Sequence, residues 1–136
     1  MTPQYQLLQV AVPALVALAV VGCTHLLAMK RDQENKRREQ RLGYLISAFR
    51  ALSKANNHPR LYEIADEVEQ AVVDLQVFGT PAQVELAQKF AEDLGKKQYA
   101  EIDRLLNELR DSLRKEIGRE PVSGNLRWMR ITRRPD

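Results

Sequence analysis

Four carboxylates, Glu63, Asp66, Glu67 and Glu69, stand within seven residues of one another. Acidic side chains this dense can ligate a divalent cation or divide the roles of acid and base. Helical phasing argues against both uses, because most of them fall off the apolar face of the segment, where water solvates them. His25 and His58 are 33 residues apart, and neither has a second ligand at a metal-site spacing. Cys23 is the single cysteine, so no disulfide can form within the chain and no Cys/His pair suggests a nucleophile. Gly79-Thr80-Pro81 precedes a helix start, a place where anions can bind. Cap chemistry accounts for all three residues, and no lysine or further glycine follows to cradle a phosphate. The sequence thus predicts a non-enzymatic protein with no catalytic residue, no metal ligand, no cofactor and no small-molecule substrate.

Charge is the stronger signal. Residues 1–29 carry no Asp, Glu, Lys or Arg. Residues 30–41 hold six basic and three acidic side chains, and the tail 119–136 has five Arg against Glu120 and Asp136. The body between them, 42–118, has ten basic and thirteen acidic residues, so the overall +3 comes from two basic patches around a mildly acidic centre. Lys30, Arg31, Lys36, Arg37 and Arg38 are expected to flank a membrane and touch anionic lipid. Nucleic acid is disfavoured as their ligand, because no aromatic residue is interleaved among them. The tail places the only tryptophan among arginines, which makes Arg127, Trp128 and Arg130 candidates for binding a partner. The same tail could instead fold back on the body and bury Trp128, or lie on a membrane surface with Trp128, Met129 and Ile131 inserted.

These residues need elements to carry them. Residues 7–29 are almost wholly apolar, and as a helix they would span ~34 Å, enough for a hydrocarbon core of ~30 Å. Basic residues follow at once and none precedes, so the positive-inside rule puts the N-terminus outside and the remainder in the cytoplasm. Val20-Val21-Gly22-Cys23 reads as a bacterial lipobox, which would make the chain a lipoprotein with a periplasmic helical domain. A cleaved secretory signal is the other rival. Both require an N-terminal positive stretch that MTPQYQ lacks, and the apolar run continues past Cys23.

Beyond residue 41 the apolar residues recur every three to four positions. Leu42, Leu45, Ile46, Phe49 and Leu52 form one stripe, ended by Asn56-Asn57-His58-Pro59, with Pro59 expected in the first turn of the next helix. That second helix turns Leu61, Ile64, Ala65, Val68, Ala71, Val72, Leu75 and Phe78 inward and stops at Gly79 as a left-handed cap. Thr80-Pro81-Ala82-Gln83 has the form of a capping box. A third helix lined by Val84, Ala87, Phe90, Ala91 and Leu94 is expected to close at Gly95. A fourth, about 98–117, buries Ile102, Leu105, Leu106, Leu109, Leu113 and Ile117 and is capped by Gly118. The prediction is an all-α protein, one N-terminal transmembrane helix plus a small antiparallel helical bundle. It divides into an anchor 1–29, a basic stalk 30–41, a bundle 42–118 and a tail 119–136. The stalk has no helix breaker, so the membrane helix can continue through it.

Leu75-Gln76-Val77-Phe78-Gly79-Thr80, together with the closing Leu109-Arg110-Asp111-Ser112-Leu113-Arg114-Lys115-Glu116-Ile117-Gly118, resembles a set of bacterial membrane-anchored helical proteins of uncharacterised activity. Its members show an aromatic-Gly-Ser/Thr helix junction and a final helix ending in Leu-Gly, where this chain has Ile117-Gly118. The resemblance implies a helical fold and a bacterial inner membrane, and assigns no site residue. The expected function is a membrane-tethered interaction module whose partner is another protein or a second copy. The alternative is a small transport or signalling subunit acting through its membrane helix, with Pro13, Gly22 and His25 at a helix–helix contact.

Overall fold

The computed structural model describes residues 3–56 and 58–129. Among the described residues there are four α-helices, α1 Pro3–Ala55, α2 Ala65–Phe78, α3 Pro81–Lys97 and α4 Asp103–Glu116, with a 3₁₀ turn, Leu61–Ile64, before α2. No strand occurs among the described residues, and the all-α expectation holds. Two compact units divide the chain, 1–39 and 40–136.

The first unit is the greater part of α1. No breaker interrupts the 53 residues of this helix, and it accommodates Pro13. Every described apolar side chain between residues 7 and 29 is exposed, so this segment is long and apolar enough to cross a membrane and is not a core helix of this fold.

The second unit is a four-helix bundle. Its directions follow from side-chain pairs. Near residue 41, Arg41 of α1 pairs with Glu116 at the end of α4, and the Tyr44 ring meets Phe78 at the end of α2. Near residue 55, Lys54 pairs with Glu67 at the start of α2. Together with the short connections, this makes consecutive helices antiparallel, up-down-up-down. The core is Leu45, Ala48 and Leu52 of α1, Val68, Ala71, Val72 and Leu75 of α2, Ala87 and Phe90 of α3, and Leu105, Leu106 and Leu109 of α4, with Ile64 and Ile102 just before α2 and α4.

Several expectations are corrected. Ile46 is exposed and Ala48 takes the core position, because the stripe facing the bundle is centred on Leu45 and Leu52. Pro59 does not open α2. The Arg60 amide donates to His58 Nδ1 (3.2 Å), and the tight 3₁₀ turn spends residues 61–64 before α2 begins at Ala65. Phe78 and Ile117 are exposed, since each lies at the end of its helix, where Phe78 is met by the Tyr44 ring on one side only. Ala91 is exposed as well.

Glycines fill different roles from those expected. Gly79 has extended backbone (φ −72°, ψ 163°) and is not a left-handed cap. Its need is steric: a Cβ there would overlap the Leu75 carbonyl oxygen and come within 3.1 Å of Gln83 Cβ. α3 runs through Gly95 to Lys97, helped by ion pairs from Lys96 to Glu92 and from Lys97 to Asp93. The left-handed cap falls on Gln98 instead (φ 56°). Gly118 matches expectation: at φ +73°, its amide donates to Lys115 O and the Arg119 amide to Arg114 O, the paired bonds of a Schellman motif.

A side chain in the left-handed region costs about 1 kcal/mol. Gln98→Gly is therefore expected to raise the thermal midpoint of the full chain in detergent by ~4–8 °C, followed by circular dichroism. Gly79→Ala should lower stability by about 1–3 kcal/mol through overpacking; an unchanged midpoint would refute the steric reading.

Candidate interaction surfaces

The bundle holds one buried polar side chain among the described residues, Gln83, in the first turn of α3. Thr80 and Gln83 complete the expected capping box: the Gln83 amide donates to Thr80 Oγ1 (3.4 Å) and the Thr80 amide to Gln83 Oε1 (3.0 Å). The same side chain reaches two other helices. Tyr44 Oη of α1 donates to Gln83 Oε1 at 3.5 Å, and Gln83 Nε2 donates to Ser112 Oγ of α4 at 2.9 Å. Ser112 Oγ in turn donates a hydrogen bond to Glu108 Oε1 (3.3 Å). Every bond is internal and structural. Partial burial pushes the Tyr44 phenol above its ordinary value, with Arg41 opposing and Glu116 reinforcing the shift.

The tail is bound to α4 as far as residue 125. Arg114 Nε donates to Glu120 O (2.6 Å), and Arg110 donates to Val122 O (2.5 Å) and Gly124 O (2.9 Å). Asn107 Nδ2 closes the series on Asn125 Oδ1 (2.7 Å). The tail thus runs back along α4, antiparallel to it. Leu126 packs on the core, and Trp128 lines a cavity with Ala55, Leu61, Leu94 and Ile102. Trp128 is left 38% exposed, Arg127 is exposed and Arg130 lies outside the described residues. Of the three readings of the tail, the folded-back one describes residues 120–126, but the expected burial of Trp128 does not occur. The polar face of α4 that holds it, Asn107, Arg110 and Arg114, was not legible from sequence, because arginines on a helix face read as solvated charge.

The membrane-flanking candidates Lys30, Arg31, Lys36, Arg37 and Arg38 are all exposed on α1. In the acidic cluster, Glu63 pairs with Arg60 (3.1 Å) and Glu67 with Lys54 (3.0 Å), while Asp66 and Glu69 face solvent. Among the described residues no three His, Cys, Asp or Glu converge as metal ligands. On α3, hydrogen bonds from Lys89 and then Lys97 hold the Asp93 carboxyl below its ordinary value.

A surface that sequence reasoning missed lies between α2 and α3. It is an open groove of about 840 Å³, floored by Val68, Val72 and Phe90 and edged by Ala65, Val73, Ala91 and Gly95. Tyr62 and Val73 expose 74% and 50% of their surface there. The signal was present: Val73 and Val77 are apolar residues outside the inward stripe of α2, and they continue as an exposed second stripe.

No protein-family model matches the chain, and no curated protein or solved structure matches it either.

Replacing the buried amide by Gln83→Leu strands the Thr80 amide and removes the links to Tyr44 and Ser112. The expected loss is about 2–3 kcal/mol in chemical denaturation, against a smaller loss for Ser112→Ala. Tyr44 holds its proton more tightly folded than unfolded. Its contribution is intact below the unfolded value of 10.0 and is lost as pH rises through the folded one. Tyr44→Phe should flatten the alkaline fall in stability, and the phenolate absorbance lost with that substitution should titrate above the ordinary value.

Proposed function

We propose that the protein is a single-pass membrane protein whose helical bundle is a non-enzymatic module for binding another protein. The carrying observation is the division of labour along α1. Residues 7–29 are almost wholly apolar and exposed throughout, whereas residues 45, 48 and 52 of the same helix are core of the bundle. Exposed apolar surface on that scale is unfavourable in water and favourable in lipid. A helix continuing unbroken through Gly22 and Cys23 favours a retained anchor over a processed lipoprotein.

The charge flanks favour a bacterial inner membrane with the N-terminus outside and the bundle in the cytoplasm. Anchoring confines the search for a partner to the membrane plane and raises its effective concentration there. The groove between α2 and α3 supports the binding reading, because apolar side chains kept in water on an otherwise charged surface mark interaction sites. Trp128 and Arg127 provide a second exposed patch at the mouth of the tail cavity.

Two experiments test this reading. A C-terminal tag is expected to resist protease in spheroplasts and to be digested in inverted vesicles; digestion in spheroplasts would overturn the orientation. Replacing residues 7–29 by a Leu/Ala helix of equal length should leave the pattern of in-cell cross-linked adducts unchanged. Loss of the adducts on that swap would favour a transmembrane helix that acts itself, and no adducts with the native chain would sink the interaction module.

A further inference from the structure

We infer that the groove between α2 and α3 receives an amphipathic helix with a basic edge, supplied by a different protein. This rests on the reading of the bundle as an interaction module.

Shape selects a helix. α2 is 14 residues long, about 21 Å at ~1.5 Å per residue, and α3 runs antiparallel beside it. The edges carry small residues, Ala65 on one side and Ala91 and Gly95 on the other, so a third helix can approach closely. A Cβ added at Gly95 would meet nothing within 4 Å, which marks open space there. Val72 and Phe90 in the floor are already buried by the bundle. Tyr62 and Val73 are not, and they supply the apolar surface that a partner would cover.

Charge selects the edge. The sequence of α2 contains Asp66, Glu67, Glu69 and Asp74 and no basic residue. Glu67 is engaged by Lys54, but Asp66 and Glu69 stand at i−7 and i−4 from Val73 and share its exposed edge. Arg60, the basic residue in the lining, is paired with Glu63. An incoming helix therefore meets an apolar floor beside two carboxylates, which favours Lys or Arg along one side of it. The same carboxylates argue against a second copy. A two-fold contact centred on this edge would bring the Asp66 and Glu69 carboxylates of one copy against those of the other.

The test uses the full chain in nanodiscs of neutral phosphatidylcholine and a fluorescein-labelled 18-residue Leu/Ala/Lys amphipathic helix as probe. Anisotropy should rise above that with empty nanodiscs and fall with added salt. Val73→Arg should weaken binding at least tenfold with unchanged helicity and thermal midpoint. Glu69→Lys, outside the core, should weaken it several-fold and reduce its salt dependence. Binding that is absent, or indifferent to Val73→Arg, overturns the proposal. Self-association of the native chain that Val73→Arg abolishes also overturns it, in favour of a second copy. In-cell adducts that persist with Val73→Arg would sink the groove while leaving the interaction module standing.

Discussion

Burying an amide is costly unless every polar atom finds a partner, and that constraint organises the bundle around Gln83. One side chain closes the N-terminus of α3, receives the Tyr44 hydroxyl from α1 and donates to Ser112 on α4. Apolar contacts alone would permit the helices to slide along or rotate about one another at small cost, because dispersion and hydrophobic burial are non-directional. Hydrogen bonds at a single depth in the core are directional. They hold three helices at one level, and Gly79, stripped of its Cβ, allows the fourth to end within reach of that level. Polar interactions of this kind can select one arrangement from several that bury similar apolar area.

α4 faces two ways. Leu105, Leu106 and Leu109 enter the core, while Asn107, Arg110 and Arg114 hold the backbone of residues 120–125. Arginine suits this task, since one guanidinium can donate to two carbonyls, as Arg110 does. The returning tail carries Leu126 onto the core and Trp128 to the rim of a cavity beside Leu61 and Leu94. Surface ion pairs such as Arg41–Glu116 and Lys54–Glu67 add little energy, although they fix which helix ends meet. The remaining uncovered apolar surface is then unevenly placed. It lies along α2 and α3, the pair of helices that the tail leaves open.

Helix existence was legible in the sequence because it is a local property. The 3.6-residue period, Thr80 with Pro81 and Gln83, and Gly118 before Arg119 each act within a turn of their own position. Core membership was mostly legible for the same reason: Leu45, Leu52, Val68, Leu75, Leu105, Leu106 and Leu109 lie on their stripes. The exceptions cluster at helix ends. Phe78 and Ile117 continue the period but stay exposed, Phe78 meeting only the Tyr44 ring, and periodicity carries no information about where a neighbouring helix stops. Gly95 misled because the cost of one helical glycine is small beside the bonds and ion pairs of another half-turn.

What the sequence by itself determined is the all-α class, the long apolar N-terminal helix and the caps at Thr80 and Gly118, all products of local sterics, hydrogen bonding and hydropathy. What only the tertiary structure decided is how those elements share their polar groups. Gln83 looked like a cap residue and is also the buried link to Tyr44 and Ser112. Arg110 and Arg114 bind the tail backbone, and Val73 edges a groove, neither role being visible along a single helix. Each of these assignments depends on a partner outside its own helix, from 6 residues away for Arg114 and Glu120 to 39 for Tyr44 and Gln83. Periodicity read along one helix cannot specify which residue of another helix arrives opposite it.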